Sequence, residues 1–548
     1  GEAEPLFRRA LTLFEGVEGT ELQQALCLFN LTTTVRALGR AAEAEPLYRQ
    51  ALALYERADG TEKNQANCLH DLALTLHNLG RPGEAEPLFR RALTLFEGVE
   101  GTELQQALCL FNLATTVGVL GREGEAEPLY RQALALYKGI DGTQEDQALC
   151  LGNLAFTLHN LGREGEAEPL YRRALALYEQ VDGTEKYQAL CLRSLATTLY
   201  DLGRVGEAEP LYRQALALYE GIDGTEKYQA ACLGNLANTV WQLGRLGEAE
   251  PLYRRALALY EGVDGVEEDR AACLFNLAKT LHDLGRVGET EPLYRHALAL
   301  YEQINGTEKN QANCLHDLAT TVWQLGRVDE AEPLYRRALA LYEGVESAEE
   351  DRARCLRALA QVITAAGEGR LREALNLYRR ALALYEGIDG AEEYQAECLH
   401  NFATTLRRLG RAGETELLYR RALALYEQVD GTEEDQANCL LNLANTLCDL
   451  GRLGEAEPLY RQALALYEQV DGTQRDQADC LYNLAITVRR LGRAGEAEPL
   501  LRRALALYEG GEGAEEDRAR CLRALAQAVT GEGRLREALD LYRQALAL

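Results

Sequence analysis

The chain of 548 residues contains no methionine, only two serines and only six lysines. Its apolar runs are a few residues long, so the sequence predicts no membrane span, and it shows no signal peptide. It also offers no Cys–His–acid arrangement that would support a hydrolase. Because residue 1 is not methionine, we expect the sequence to be a fragment, a processed product, or one assigned without its true start.

Positive charge is scarce as well, since 58 basic residues face 86 acidic ones and the formal net charge is −28. Nucleic-acid binding requires a basic surface, so this balance argues against a nucleic-acid partner. A strongly acidic chain favours solubility and, locally, basic partners.

Cysteine is present and strictly periodic. Thirteen of the fourteen cysteines follow one series, and every step is 41 residues except the 43 from 355 to 398. They occupy positions 27, 68, 109, 150, 191, 232, 273, 314, 355, 398, 439, 480 and 521. A fixed period of this size predicts a solenoid, in which each repeat buries its apolar face against its neighbours.

The periodic cysteines are expected to be small buried side chains rather than disulfide partners. Helices of adjacent repeats pack roughly 8–10 Å apart, whereas a disulfide needs Cα atoms within about 7 Å. Free thiols are typical of a reducing cytoplasm, which is the expected location.

Each repeat reads as two helices. With Ala107 as position 1, the apolar positions of the first helix recur at steps of three and four, and Gly121 then closes the helix. These positions are Cys109, Leu110, Leu113, Ala114, Val117 and Leu120. The second helix is expected to start near Glu125, and its apolar positions are Ala126, Leu129, Tyr130, Ala133, Leu134 and Tyr137.

Two residues of the repeat affect where its helices begin. Pro128 recurs in most repeats and predicts either a bend or a late start of the second helix. Thr143 is expected to be the N-cap of the next first helix, with Glu145 and Asp146 in its first turn.

The spacing Leu110-x2-Leu113-Ala114-x2-Val117, followed by Ala126-x3-Tyr130-x2-Ala133, resembles the tetratricopeptide repeat. The phrase GEAEPLYRRALALYE is most similar to the longer-period variety of kinesin light chains and of many bacterial repeat proteins. The resemblance covers essentially the whole chain, although leucine replaces the family's tryptophan and the closing proline is missing. It implies an all-α, right-handed superhelical solenoid whose first helices line a concave groove that holds a peptide or a partner helix.

The repeat pattern divides the chain into four segments. Residues 1–24 are a partial repeat, with only the second helix and the connection, and residues 25–354 are regular repeats. Residues 355–397 form a repeat with a two-residue insertion around residues 365–368, which is expected to change the superhelical pitch. Residues 398–548 are regular repeats without a C-terminal cap, so we expect that further repeats were removed or that other chains cover the ends.

Variation between the repeats locates the candidate binding surface. Core positions barely change, whereas positions 2, 5, 9, 12 and 13 of the first helix differ, and positions 2, 5, 9 and 12 share one helical face. Position 6 is nearly always polar. Its asparagines predict either a clamp on a peptide backbone or hydrogen bonds that set the stacking of repeats.

The candidate partner-binding residues all lie on the first helices. Trp241 and Trp323 are expected to anchor a partner or to pack on the adjacent helix. Arg407 and Arg489 suit an acidic peptide or are solvated charges. The full set is Asn112, Asn153, Asn235, Asn276, Asn442, Asn483, Arg193, His159, Trp241, Trp323, Arg407 and Arg489.

No cofactor or metal site is expected. Cys68 and His70 are two residues apart on a helix, so their side chains point about 200° from each other and do not share an ion. The leading hypothesis is therefore a non-enzymatic scaffold for a protein or peptide partner. The alternative is a structural protein that stacks end to end into a filament or tube. For such a fibre the expected location is extracellular.

Overall fold

The structure is a computed structural model that describes residues 3–14, 17, 19–509, 514–531 and 533–547. These residues form 27 α-helices, two short 3₁₀ turns and no strand, which confirms the all-α prediction. The chain divides into two compact units, Gly1–Leu284 and Gly285–Leu548, and each is described by itself. No helix among the described residues has the length and apolar character needed to cross a bilayer.

The first unit contains fourteen described helices, in which consecutive helices pack on each other. They are α1 (Ala3–Phe14), α2 (Glu21–Ala37), α3 (Ala41–Tyr55), α4 (Glu62–Asn78), α5 (Pro82–Glu97), α6 (Glu103–Val119), α7 (Glu123–Tyr137), α8 (Gln144–Asn160), α9 (Glu164–Tyr178), α10 (Glu185–Asp201), α11 (Val205–Glu220), α12 (Glu226–Gln242), α13 (Leu246–Tyr260) and α14 (Glu267–Asp283).

The second unit continues the alternation with thirteen described helices. They are α15 (Thr290–Tyr301), α16 (Glu308–Gln324), α17 (Val328–Glu343), α18 (Glu349–Ala366), α19 (Leu371–Tyr385), α20 (Glu392–Arg408), α21 (Ala412–Tyr426), α22 (Glu433–Asp449), α23 (Leu453–Tyr467), α24 (Gln474–Arg490), α25 (Ala494–Glu509), α26 (Glu515–Gly531) and α27 (Leu535–Ala547). Even-numbered helices are the first helices of repeats, here called A helices, and odd-numbered ones are the second, here called B helices.

The A helix follows its predicted apolar stripe. In α6 the side chains of Cys109, Leu110, Leu113, Ala114 and Val117 are buried. The turn after α6 also closes as predicted, because Gly121 has a φ of +73°. The Gly121 amide donates to the Gly118 carbonyl, and the Arg122 amide donates to the Val117 carbonyl. This pair of bonds is the Schellman arrangement, which glycine favours because it has no Cβ.

The B helix begins slightly earlier than expected. Helix α7 starts at Glu123, so Pro128 is its sixth residue and the helix does not start late. A late start is seen in α15, which a 3₁₀ turn at Val287–Glu289 precedes and which begins two residues before Pro292.

Thr143 is the N-cap residue of α8 and Glu145 and Asp146 lie in its first turn, as predicted, but the Thr143 hydroxyl makes no cap hydrogen bond. With φ −101° and ψ 24°, its backbone is outside the extended region that a capping side chain requires. The buried hydroxyl instead donates backward to the carbonyls of Tyr137 (2.8 Å) and Ile140 (2.9 Å). Gln147 Nε2 donates to the same Tyr137 carbonyl and to Thr143 Oγ1. We call this arrangement the Thr–Gln clamp, and it joins a B helix to the next A helix.

The periodic cysteines are buried, apart from the half-buried Cys27, and all are free thiols. They also make a specific bond, because the Cys150 thiol donates to the Tyr130 carbonyl at 3.3 Å. The same thiol-to-carbonyl bond, with 20 residues between donor and acceptor, recurs at Cys68, Cys109 and Cys232. Burial raises the pKa of the Cys150 thiol to about 12, so it is protonated and able to donate.

Candidate partner-binding face

Side chains at position 12 of the A helices reach the next repeat. Trp241 Nε1 donates to Asp283 Oδ2 at 2.9 Å, and Lys279 Nζ lies 4.6 Å from the centre of its ring. His159 approaches Thr198 and Asp201, at 3.4 Å and 3.5 Å. These side chains therefore connect neighbouring repeats.

Two position-12 arginines of the second unit also reach the next repeat. Arg489 Nη1 donates to Gln527 Oε1 at 2.8 Å, and Arg407 Nη1 lies 3.8 Å from Asp449 Oδ2. Trp323 is half-buried, and alanine stands at the position equivalent to Asp283 in the repeat that follows it.

The six candidate asparagines at position 6 are half-buried, and several bond within the solenoid. Asn112 and Asn442 each contact the ring Nε2 of a histidine in the preceding repeat, at 3.0 Å and 3.3 Å. Asn276 Nδ2 donates to Asn238 Oδ1 of the preceding repeat at 3.0 Å, and Asn153 Nδ2 donates to the Leu149 carbonyl in its own helix. Asn235 and Asn483 line cavities described below.

Position 5 faces the tyrosine or phenylalanine of the following B helix. Several aromatic or histidine side chains at this position meet that ring edge to face, as for Phe111 and Tyr130 at 5.7 Å and for His316 and Tyr335 at 5.3 Å. Edge-to-face pairs of this kind stabilise packing. Gly152 has no side chain at this position, and a Cβ built there would meet nothing within 4 Å.

A cavity of about 340 Å³ opens beside Gly152, between α8 and α10. Its wall includes Phe156, Tyr187 and Leu190, whose side chains are 54%, 42% and 40% exposed. We call it the apolar cavity. Large apolar side chains clustered at this exposure are unusual on a solvated surface and are typical of binding sites.

Arg193 lines one side of the apolar cavity and occupies position 5 of α10. Its counterpart Arg357 forms an ion pair with Glu397, which stands at position 2 of the next A helix. The position equivalent to Glu397 after Arg193 is Ala231. Among the residues that the structure describes, no carboxylate forms an ion pair with Arg193, so its guanidinium retains its donors.

A second cavity, of about 190 Å³, lies on the other side of Arg193 and is here called the polar cavity. Gly234 occupies position 5 there, as Gly152 does in the apolar cavity. Amide groups of Asn235 and Asn276 line it together with the carboxylate of Asp269. The sequence Gly, Arg, Gly at position 5 of three successive repeats thus places one cation between an apolar and a polar cavity.

A third cavity, of about 360 Å³, lies in the second unit and is lined in part by Arg407, Asn483 and Arg490. Cys448 also lines it, half-buried, with its sulfur 3.3 Å from Thr487 Oγ1 and 3.6 Å from the Tyr460 hydroxyl. Asp449 brings a carboxylate to the same cavity, so the arginines there do not face a purely cationic space.

Family models described as Tetratricopeptide repeat match most of the chain. One matches residues 1–57, 61–139, 146–221, 188–262, 269–344 and 435–510, and two more match residues 316–387 and 395–433. The chain belongs to the tetratricopeptide repeat family. Repeats of this family are generally non-catalytic scaffolds that mediate contacts between proteins.

Solved structures with similar repeats include BtubC (BKLC) from P. vanneervenii, at 22% identity and a TM-score of 0.36. That match covers 41% of this chain and 89% of the other. A crystal structure of nearly identical TPR-like repeats of a Podosopora anserina putative kinesin light chain matches at 21% identity and a TM-score of 0.33. It covers 37% of this chain and 96% of the other. No curated protein sequence gives a significant match.

The described helices contain no cluster of metal-binding side chains. No group of three or more histidine, cysteine, aspartate or glutamate side chains that would hold an ion is found among the described residues. Burial lowers the pKa of His400 to about 4, so this ring is neutral at physiological pH and donates or accepts hydrogen bonds as an uncharged group.

A ladder of ion pairs between repeats was missed in the sequence. Arg122 donates to Glu125 through Nε and Nη2, at 2.8 Å and 2.6 Å. Its Nη1 donates to Glu86, 36 residues earlier, at 2.8 Å, and Glu86 also accepts from Arg90. The regular spacing of arginine after the closing glycine and of glutamate before the proline was the available signal.

The ion pair from this arginine to the glutamate of the preceding repeat recurs along the chain. The arginines that make this contact between repeats include Arg40, Arg81, Arg163, Arg204, Arg245, Arg327, Arg370, Arg452 and Arg493. The two hydrogen-bonded arginines hold the pKa of carboxyls such as Glu86 below the usual range.

Proposed function

We propose that this tetratricopeptide repeat protein is a scaffold that binds an extended segment of another protein along the A-helix face of α8–α14. A bulky apolar side chain of the partner enters the apolar cavity, and an acidic group beside it meets Arg193. The single observation that supports this proposal is the pairing of Phe156, Tyr187 and Leu190 with a guanidinium that has no carboxylate partner among the described residues.

The chemistry of the two features is complementary. Burying the exposed ring of Phe156 and its neighbours removes apolar surface from water, a transfer worth roughly 25 cal/mol per Å² before the entropic cost of association is subtracted. An arginine beside that surface binds a carboxylate through two parallel hydrogen bonds, which fixes the direction of the segment. Asn235 also lines the polar cavity, and its amide group can both donate to and accept from groups farther along the segment.

Selection from a displayed library of random peptides tests the proposal and does not require an identified partner. The expected consensus is a bulky apolar residue with an acidic neighbour. Phe156→Ala and Arg193→Ala are each expected to lower the affinity for the selected peptides by about tenfold or more, as for central residues of an interface. Affinity is measured by calorimetry.

Leu417→Ala is the matched control, because Leu417 is 70% exposed and lies on a B helix. Its affinity for the selected peptides is expected to equal that of the wild type. Peptides that bind Phe156→Ala and Arg193→Ala as tightly as the wild type would contradict the proposed site. Light scattering of the free protein in the same preparation tests the alternative of end-to-end assembly.

A further inference from the structure

Three contacts connect a typical repeat to the next one: the Thr–Gln clamp, the ion pair of the ladder and the thiol-to-carbonyl bond. We call the boundary between a B helix and the following A helix a joint, and the joint between α21 and α22 has all three contacts, here called links. The Thr432 hydroxyl and Gln436 amide both donate to the Tyr426 carbonyl, at 2.8 Å and 3.2 Å. Across the same joint the Arg452 guanidinium donates to Glu416 at 2.6 Å. The third link is a thiol-to-carbonyl bond of 3.2 Å from Cys439 to Tyr419.

The joint between α19 and α20 has lost the first two links and has a weak third. Ala391 replaces the threonine and has no hydroxyl to donate. Leu375 replaces the glutamate of the ladder and is buried, at 3% exposure, so Arg411 bonds to Glu414 in its own repeat without the inter-repeat acceptor. The thiol of Cys398 lies 3.8 Å from the Tyr378 carbonyl.

Other joints of the second unit keep the ladder where the threonine is missing. Ala348 and Ala514 also replace the clamp threonine. At those joints Arg370 donates to Glu332 at 2.7 Å, and Arg534 donates to Glu498. Within the described part of Gly285–Leu548, therefore, the clamp and the ladder are lost together at the α19–α20 joint alone.

The links that remain at this joint are concentrated on the A-helix side. Arg357 of α18 pairs with Glu397 of α20, and Arg408 Nη1 donates to the Thr364 carbonyl at 2.9 Å. On the B-helix side Arg421 donates to Glu386 at 2.7 Å, but both side chains are about half exposed. Exposed ion pairs of this kind contribute little.

The turn before α19 is irregular as well. Helix α18 ends at Ala366, Gly367 has a φ of +135°, and a 3₁₀ turn at Glu368–Arg370 precedes α19. Only glycine adopts such a backbone conformation without strain. The irregular turn therefore precedes α19, and the joint that lacks the clamp and the ladder follows the same helix.

We propose that the α19–α20 joint is a one-sided hinge in the solenoid. The B helices α19 and α21 separate there while the Arg357–Glu397 pair holds α18 against α20. Opening changes the distance between successive repeats on one side only, so it bends the A-helix face at α18–α20 rather than breaking the chain into parts. The hinge gives the scaffold two curvatures at a defined position, independently of which partner it binds.

Hydrogen exchange of the full chain, followed by mass spectrometry, tests the hinge. Amides of residues 386–399 are expected to exchange at least about tenfold faster than those of residues 427–440, after correction for intrinsic rates. The double variant Leu375→Glu with Ala391→Thr restores both links and is expected to slow residues 386–399 to the rate of residues 427–440.

The reverse double variant, Glu416→Leu with Thr432→Ala, removes the same links from the α21–α22 joint. It is expected to accelerate exchange of residues 427–440 by about tenfold, which keeps the test informative if the restored variant does not fold. Equal exchange at the two wild-type joints, or no slowing in a folded restored variant, would overturn the proposal.

Hydrogen exchange of a further variant tests whether the joint opens on the B-helix side only. Glu397→Gln breaks the ion pair on the A-helix side, so it is expected to accelerate exchange of residues 386–399 more in the wild type than in the restored variant. In the restored variant the clamp and the ladder still connect the repeats on the B-helix side and keep the joint closed. The same acceleration in both backgrounds would contradict a hinge that opens on one side.

Discussion

The indole Nε1 of Trp241 donates a hydrogen bond of 2.9 Å to Asp283, which lies in the next repeat of the same unit. The sequence alone leaves open whether this tryptophan anchors a partner or packs on the adjacent helix. The contact shows that its polar edge and one ring face, which lies 4.6 Å from Lys279 Nζ, are engaged within the solenoid.

Replacing Trp241 with phenylalanine tests that stacking role. The substitution keeps a ring but removes the donor, so a loss of about 1 kcal/mol in local stability is expected. Amides of α12 and α14 are then expected to exchange roughly fivefold faster. Trp323→Phe is the control, because Ala365 stands where Asp283 would accept the bond, and exchange in α16 is expected not to change.

The Thr–Gln clamp predicts a larger local effect. Thr143→Val keeps the shape of the side chain but removes the hydroxyl that donates to Tyr137 and Ile140. A loss of about 1–2 kcal/mol is expected at the α7–α8 joint, because buried carbonyls lose a donor. Urea titration monitored by exchange of residues 138–152 measures it.

The natural joint at Val266 supplies the reciprocal control for the clamp. Val266→Thr adds the missing hydroxyl before α14, where Arg270 stands in place of the clamp glutamine. A smaller gain in protection is expected there than the loss caused by Thr143→Val. No difference between wild-type and Thr143→Val protein would show that the hydroxyl does not fasten the joint.

The ion-pair ladder predicts a dependence on acid. Hydrogen bonds from Arg131 and Arg163 lower the pKa of Glu127, and those from Arg370 and Arg336 lower the pKa of Glu332 to about 2. A carboxyl with a depressed folded-state pKa stabilises the fold above its unfolded pKa of about 4.3, and this stability disappears as pH falls toward the folded value.

Thermal unfolding between pH 7 and pH 2 measures the ladder. The melting temperature is expected to be constant near neutrality and to fall progressively below about pH 5. Glu332→Gln is expected to reduce the slope at the acid end, since it removes a carboxyl whose pKa is lowered to about 2. A melting temperature that rises on acidification would contradict the stabilising role of the ladder.

The buried thiols predict a loss of stability at alkaline pH. Burial raises the pKa of Cys109, Cys150 and Cys480 to about 12, whereas an unfolded thiol titrates near about 8.5. A raised folded-state pKa means that stability is complete below the unfolded pKa and is lost as pH rises toward the folded one. The melting temperature is therefore expected to fall above about pH 8.5.

Thiol labelling separates this burial from a general effect of alkali. At pH 8 a small alkylating reagent is expected to modify the half-buried Cys27 and Cys448 first, because alkylation needs an accessible thiolate. Peptide mass spectrometry gives the order of modification. Early labelling of Cys150 in the folded protein would show that its site opens readily.

The elements that depend on local spacing were predictable from the sequence. The apolar stripe from Cys109 to Val117 and the closing glycine Gly121 lie within one helix and its turn, and both are confirmed. The start of the second helix was less certain because Pro128 lacks only one hydrogen-bond donor. Helix α7 nevertheless begins five residues earlier, at Glu123, and continues through Pro128 with one backbone hydrogen bond fewer.

The side chains that reach between repeats were harder to infer. Thr143 has the residue type of an N-cap, and only its backbone angles show that the hydroxyl points to the preceding helix. Arg122 and Glu86 are 36 residues apart, and no local rule joins them. The gap left by Gly152 is visible in the sequence, but the positions of Phe156 and Leu190 that make it a cavity are not.

The ladder has a consequence for how such a chain lengthens. A repeat with the complete ladder carries one half of the bond to the repeat before it and the other half of the bond to the repeat after it, as Arg122 and Glu127 do through Glu86 and Arg163. A duplicated unit inserted in phase therefore finds a complementary charge at both of its borders, whatever its order in the array. Leu375 is buried at the one border of the second unit, within its described residues, where this complementary charge is missing, so a repeat copied with Leu375 would not offer the carboxylate that the next arginine needs.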